Sequence, residues 1–130
     1  MLATLREAGV DLFHASTRVF HQPEWRGDMR SLAGWTRSLT DAGVITVGGV
    51  GGNHDVVEST GRAAISPTAR LGANLDELAR RFNRGEFDLV SVGRASIGDP
   101  DWPRKVESGR LDEVRPFSQE ELLALRNQIV

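Results

Sequence analysis

Apolar positions along this chain follow two alternating rhythms. Residues 10–15, 44–47 and 87–92 are short apolar runs rich in β-branched residues, and they read as strands. Between them the spacing changes. Leu32, Trp35 and Leu39 fall at i, i+3, i+7, and Leu75, Leu78, Ala79 and Phe82 fall at i, i+3, i+4, i+7, each on one face of a helix. Asn74 stands where it can cap the second helix, with Glu77 completing a capping box. Arg80, Arg81 and Arg84 lie toward its C-terminus, where the helix dipole favours cations. Ser118 and Glu121 repeat the box before a last helix carrying Leu122, Leu125 and Ile129. Ahead of each strand a helix ends at a glycine: Gly9, Gly43 and Gly85 fit the position just past a helix end, where the backbone turns left-handed. Residues 59–72 lack periodicity and read as a long loop or a short broken helix.

Strands alternating with helices predict an α/β fold with a parallel sheet covered by helices. Three parallel strands leave two open edges, which a closed sheet avoids. The chain also begins within a helix, with no strand before it. The pattern therefore predicts the carboxyl-terminal part of a (β/α)8 TIM barrel, about three parallel βα units plus terminal helices, with residues 1–130 as one partial-barrel domain. A small doubly wound sheet is the alternative.

Composition narrows the function classes. The chain has 130 residues, 39% hydrophobic and 26% charged, with a formal net charge of -2. That balance argues against a nucleic-acid surface and against a polybasic membrane patch. No apolar run is long enough to span a bilayer, and the acid at Glu7 argues against a secretory leader, so the expectation is a cytoplasmic protein. Cysteine is absent, which excludes disulfides, thiolate zinc sites and thiol nucleophiles. His14, His21 and His54 lack metal-ligand spacing, and no Walker, dinucleotide-fingerprint or nucleophile-elbow pattern occurs.

The candidate chemistry lies at two strand exits, Gly48-Gly49-Val50-Gly51 and Gly93-Arg94. Glycine after a buried strand lets a ligand approach bare backbone N–H groups. In (β/α)8 barrels the last two strand exits, with a short extra helix, commonly bind phosphate. Gly48, Gly49 and Gly93 are then candidate N–H donors, and Arg94 adds a charge-assisted contact. Asp99 and Pro100 read as the cap and first residue of the short helix. The competing reading is that the glycines only make tight turns and Arg94 is a surface ion-pair residue. His14, at the first strand exit, reads as a hydrogen-bonding partner for a ligand or for a neighbouring strand. Phe20 and Trp25, on the following loop, are candidates for the wall of a substrate pocket or for loop packing. Trp102 reads as packing under the terminal helix.

The strings Gly43-Val44-Ile45-Thr46-Val47-Gly48-Gly49-Val50-Gly51, Gly85-Glu86-Phe87-Asp88-Leu89-Val90-Ser91-Val92-Gly93-Arg94-Ala95 and Gly98-Asp99-Pro100-Asp101-Trp102 resemble the carboxyl-terminal third of the old yellow enzyme family. Gly9-Val10-Asp11-Leu12-Phe13-His14-Ala15-Ser16 is similar to its sixth strand. The resemblance implies an FMN-dependent NAD(P)H oxidoreductase of the ene-reductase type. It carries hydride from NAD(P)H through FMN to a small α,β-unsaturated carbonyl compound. It implies FMN-phosphate contacts from the backbone at Gly48, Gly49 and Gly93 and from the Arg94 side chain, with Phe20 and Trp25 on the substrate side of the flavin. The family's catalytic groups come from earlier strands, and this chain has no tyrosine. The alternatives are a non-catalytic phosphate- or nucleotide-binding module, homo-oligomeric through its open sheet edges, and an isomerase or aldolase fragment. The last is disfavoured because the only lysine, Lys105, is not at a strand end.

Overall fold

The computed structural model describes residues 1–52 and 66–120, together with residue 123. Among them the chain runs α1 (Leu2–Glu7), β1 (Leu12–Ser16), α2 (Leu32–Leu39), β2 (Gly43–Val47), α3 (Pro67–Asn83), β3 (Leu89–Val90), α4 (Arg94–Gly98) and α5 (Trp102–Glu107), then a short 3-10 turn at Leu111–Glu113. The three strands form one parallel sheet in the order β1-β2-β3. His54 and the terminal-helix positions Glu121, Leu122, Leu125 and Ile129 lie outside the described residues.

Two of the three helix-ending glycines behave as the sequence predicts. Gly9 and Gly85 are left-handed, with φ of 95° and 71°. At each, the next residue closes a bond back to the helix, Val10 N–H to Leu5 O and Glu86 N–H to Arg81 O. Gly43 differs. It is the first residue of β2, and a Cβ there would stand 2.8 Å from Leu12 Cδ1. Its glycine serves close strand contact, and α2 already ends at Leu39.

Helix α3 corrects the sequence reading further. It starts at Pro67, capped by Ser66, whose hydroxyl accepts from Ala69 N–H at 3.2 Å, so most of the second half of the expected loop is helical. Asn74 is therefore not a cap. It sits in mid-helix on the buried stripe formed by Leu71, Asn74 and Arg81. Arg81 is buried in a network with Glu77 and Glu86 at 2.6 and 2.7 Å, and it donates to His21 O. Leu75 and Leu78 do pack against the core, whereas Phe82 is exposed. In α2 the buried residues are the small Ala33, Gly34 and Thr36, which let the helix lie close to the sheet; Leu39 points to solvent. Strand β3 is shorter than expected, because among the described residues only β2 pairs with it. Flanking ladder bonds from Asp88 N–H to Val44 O and from Ser91 N–H to Thr46 O extend its hold.

Side chains alternate across the sheet. Ala15 and Val44 face the helices and pack with Ala33 and Phe87. The opposite face is open: Leu12 and Leu89 are 46% and 54% exposed, and His14 and Ser16 are exposed beside them. A second apolar cluster of Phe20, Val50, Leu71, Ala95 and Trp102 lies under the carboxyl ends of the strands. This cluster is the floor on which the two glycine exits rest.

Candidate functional site

The exits of β1 and β2 are fastened together before either reaches solvent. The Thr17 hydroxyl donates to Val47 O at 2.8 Å, and Phe20 N–H donates to Gly48 O at 2.9 Å. The β1 exit crosses so near Gly48 that a Cβ there would stand 2.5 Å from Thr17 O. Gly48, Gly49 and Gly51 all have positive φ, at 129°, 68° and 69°, so the loop follows a path that side-chain-bearing residues rarely take. A Cβ on Gly51 would stand 2.7 Å from the Trp102 ring. Gly48 and Gly51 therefore have packing reasons to be glycine.

Gly93 is different. It precedes α4, its φ is -103°, and nothing lies within 4 Å of where a Cβ would stand. The short helix begins here, at Arg94, ahead of the expected start at Pro100. Asp99 ends α4 instead of capping a helix at Pro100. Its buried carboxylate takes Lys105 Nζ at 2.6 Å, Arg115 N–H at 3.0 Å and Asp101 N–H at 3.2 Å. The Lys105 hydrogen bond, followed by that from Arg115, holds the Asp99 carboxyl below the usual carboxylate range.

Gly48, Gly49, Gly93 and Arg94 come together. All four line one cleft of ≈ 720 Å³, with Thr17, Arg18 and Ser91 among its other walls. That volume lies within the range of small-molecule sites. Neither Arg94 nor Arg18 has an ion-pair or hydrogen-bond partner among the described residues. The cleft thus combines two unpaired guanidinium groups with glycine backbone, which suits an anionic ligand.

Phe20 and Trp25 do not line this cleft. Phe20 is 1% exposed, its ring enclosed in the cluster beneath the loops, because its N–H is tied to Gly48 O and its apolar ring turns inward. Trp25 stands edge-to-face against Trp35, which the Arg30 guanidinium covers at 3.6 Å, in a separate cluster. Trp102 packs in the core beneath the glycine loop. His14 pairs with Ser16, Nδ1 to Oγ at 3.0 Å, on the open face of the sheet.

Two contributors escaped the sequence reading. Arg18 lies two residues past the end of β1, and Arg94 opens α4 four residues past β3, so each strand exit carries an arginine that the sequence displays. Asn74 was not accessible in the same way. Its Nδ2 donates to Gly49 O at 3.2 Å and its Oδ1 accepts from Gly51 N–H at 3.0 Å, contacts that span more than twenty residues.

No protein-family model matches the sequence. Over 114 residues, 85% of this chain, it is 29% identical to an NADH oxidase of Thermoanaerobacter brockii, and it spans 15% of that protein. Over 93 residues, 70% of this chain, it is 27% identical to a dimethylamine dehydrogenase of Hyphomicrobium sp. (strain x), and it spans 12% of that one. The chain is thus similar to short portions of enzymes named as an oxidase and a dehydrogenase. The expected kinship with oxidoreductases holds at that level, and neither likeness singles out the old yellow enzyme family. No described helix is long and apolar enough to cross a membrane.

Proposed function

We propose that this chain is the phosphate-anchoring portion of a cytoplasmic FMN-dependent oxidoreductase built on a (β/α)8 barrel. The whole enzyme carries hydride from NAD(P)H through FMN to an activated alkene, a small α,β-unsaturated carbonyl compound. One observation carries the reading: two strand exits and an unpaired arginine converge on a single cleft. The named relatives, an NADH oxidase and a dimethylamine dehydrogenase, support its redox half. The uncovered sheet face at Leu12 and Leu89 supports a sheet that continues toward a barrel.

The residues present fit a phosphate monoester. Arg94 offers a charged fork, the open side of Gly93 leaves room for a close approach, and Gly49 contributes backbone. Gly48 shapes the wall beside them. When bound, FMN supplies the hydride-carrying chemistry. This chain holds the phosphate end, and the groups that polarise the carbonyl and hand over a proton are not assigned to it.

A flavin titration tests the reading. FMN should bind more tightly than riboflavin, which lacks the phosphate. Arg94→Ala should weaken FMN binding by about 1.5–3 kcal/mol, the usual worth of a charge-assisted hydrogen bond, and leave riboflavin nearly unaffected. Equal FMN affinity in wild type and variant would overturn the cradle. FMN binding without enone-dependent NADPH oxidation fits an anchoring portion, whereas turnover by this chain alone would show that the catalytic groups are present in it.

The second reading is a non-catalytic phosphate- or nucleotide-binding module that assembles as a homo-oligomer. It is favoured by β1 and β3, each with only one strand neighbour among the described residues.

A further inference from the structure

We infer that Asn74 is a positioning residue that holds the glycine loop in its anion-receiving form; this rests on the phosphate reading above. Asn74 is 4% exposed, on the face of α3 turned toward the loop, among the apolar positions of that stripe. A buried amide without partners is costly, and a leucine would fill the same stripe. Here both ends of the amide are matched to the loop backbone, through Gly51 N–H and Gly49 O.

The match has a chemical consequence. Gly48, Gly49 and Gly51 occupy positive φ, so the loop has little intrinsic preference for the path it takes. Residues 49 and 51 are fastened to a rigid seventeen-residue helix, and the Trp102 ring packs against Gly51 from another element. The Gly49 carbonyl accepts from both Asn74 Nδ2 and Gly52 N–H, so this acceptor is satisfied within the loop's own support. The N–H groups of Gly49 and Val50, both residues of the cleft lining, have no hydrogen-bond partner among the described residues. Asn74 therefore ties one loop acceptor, Gly49 O, and one loop donor, Gly51 N–H, and leaves the Gly49 and Val50 N–H groups available. A phosphate meets a preformed set of N–H groups and does not have to order them on binding.

Asn74→Leu keeps the number of side-chain heavy atoms, with somewhat more bulk, and removes both hydrogen bonds; Asn74→Ala is the second variant should the first fold poorly. The readout is the ratio of FMN to riboflavin affinity, with thermal melting measured beside it. A residue that only supports the fold would lower the melting temperature and leave the ratio unchanged. A positioning residue should lower FMN affinity roughly ten-fold or more while riboflavin affinity changes little, so the ratio collapses. Amide exchange at Gly51 should be slow in wild type and fast in either variant. An unchanged ratio in the variants, with FMN still favoured in wild type, overturns the positioning role alone. A wild-type chain that binds neither flavin overturns the phosphate reading and this role together.

Discussion

Gly48 and Gly93 both line the cleft, yet the constraints on them differ. Gly48 has φ of 129° and Thr17 O only 2.5 Å from a Cβ position, so alanine there collides with the backbone of a residue whose hydroxyl is tied to Val47 O. Gly48→Ala should cost roughly 2–4 kcal/mol of stability. Gly93→Ala meets no atom within 4 Å, and its stability cost should be well below that of Gly48→Ala, while its FMN affinity should fall. Urea unfolding and flavin titration of the two variants separate a glycine required by the chain from one that admits a ligand. If Gly93→Ala is the more destabilising of the two, this distinction is wrong. The strand-exit pattern identified both glycines, but the sequence could not tell them apart. The difference arises from Thr17, thirty-one residues earlier, and no local pattern reports such an approach.

The elements that carry the site are set by polar groups at buried positions. On α3 the periodicity of Leu75 and Leu78 reveals a helix, but its first turns, from the Ser66 cap and Pro67, carry little of that apolar period. A cap at Asn74 leaves residues 67–72 of α3 in the segment that reads as a long loop or a short broken helix, and it hides the contact of Asn74 with the glycine loop. Arg81 was legible as a C-terminal cation, but not as the buried centre of a network reaching His21. At the junction of α4 and α5, the sequence marks Asp99 as a cap at Pro100; its carboxylate accepts from Asp101 N–H and also binds Lys105 and the Arg115 backbone, drawing residues 108–117 back over the helices. Gly98 fits this closure, since a Cβ there would stand 2.7 Å from Phe117 Cα. The pH dependence follows from Asp99. Its carboxyl titrates below the ordinary carboxylate value in the folded chain, so its stabilisation is in place above about pH 4 and is lost as pH falls through the lower folded value. Asp99→Asn should therefore be less stable at neutral pH and show a flatter acid limb when urea midpoints are followed from pH 7 to 2. Parallel limbs for wild type and variant would remove Asp99 from this role.

At the scale of the whole molecule, two apolar clusters among the described residues divide the work. One joins sheet to helices through Ala15, Ala33, Val44 and Phe87; the other supports the strand exits through Phe20, Val50, Leu71, Ala95 and Trp102. The parallel α/β arrangement was readable because buried strands and amphipathic helices leave different periods in the sequence. Which loop aromatics turn inward was not, because Phe20 and Trp25 carry the same apolar signal and only the anchored backbone at Gly48 sends one of them into the core. The Asp99 anchor also makes the chain a reporter of its own folding. Lys105 is the only lysine, and folding fixes its amine between Asp99 and the Glu113 carbonyl. An amine-reactive reagent applied to the native chain should acylate the α-amino group and leave Lys105 largely unmodified. Under increasing urea, a second label should appear in the intact-mass spectrum in step with unfolding of the tail closure. Full labelling of Lys105 in the native chain would mean that the closure opens faster than the reagent reacts.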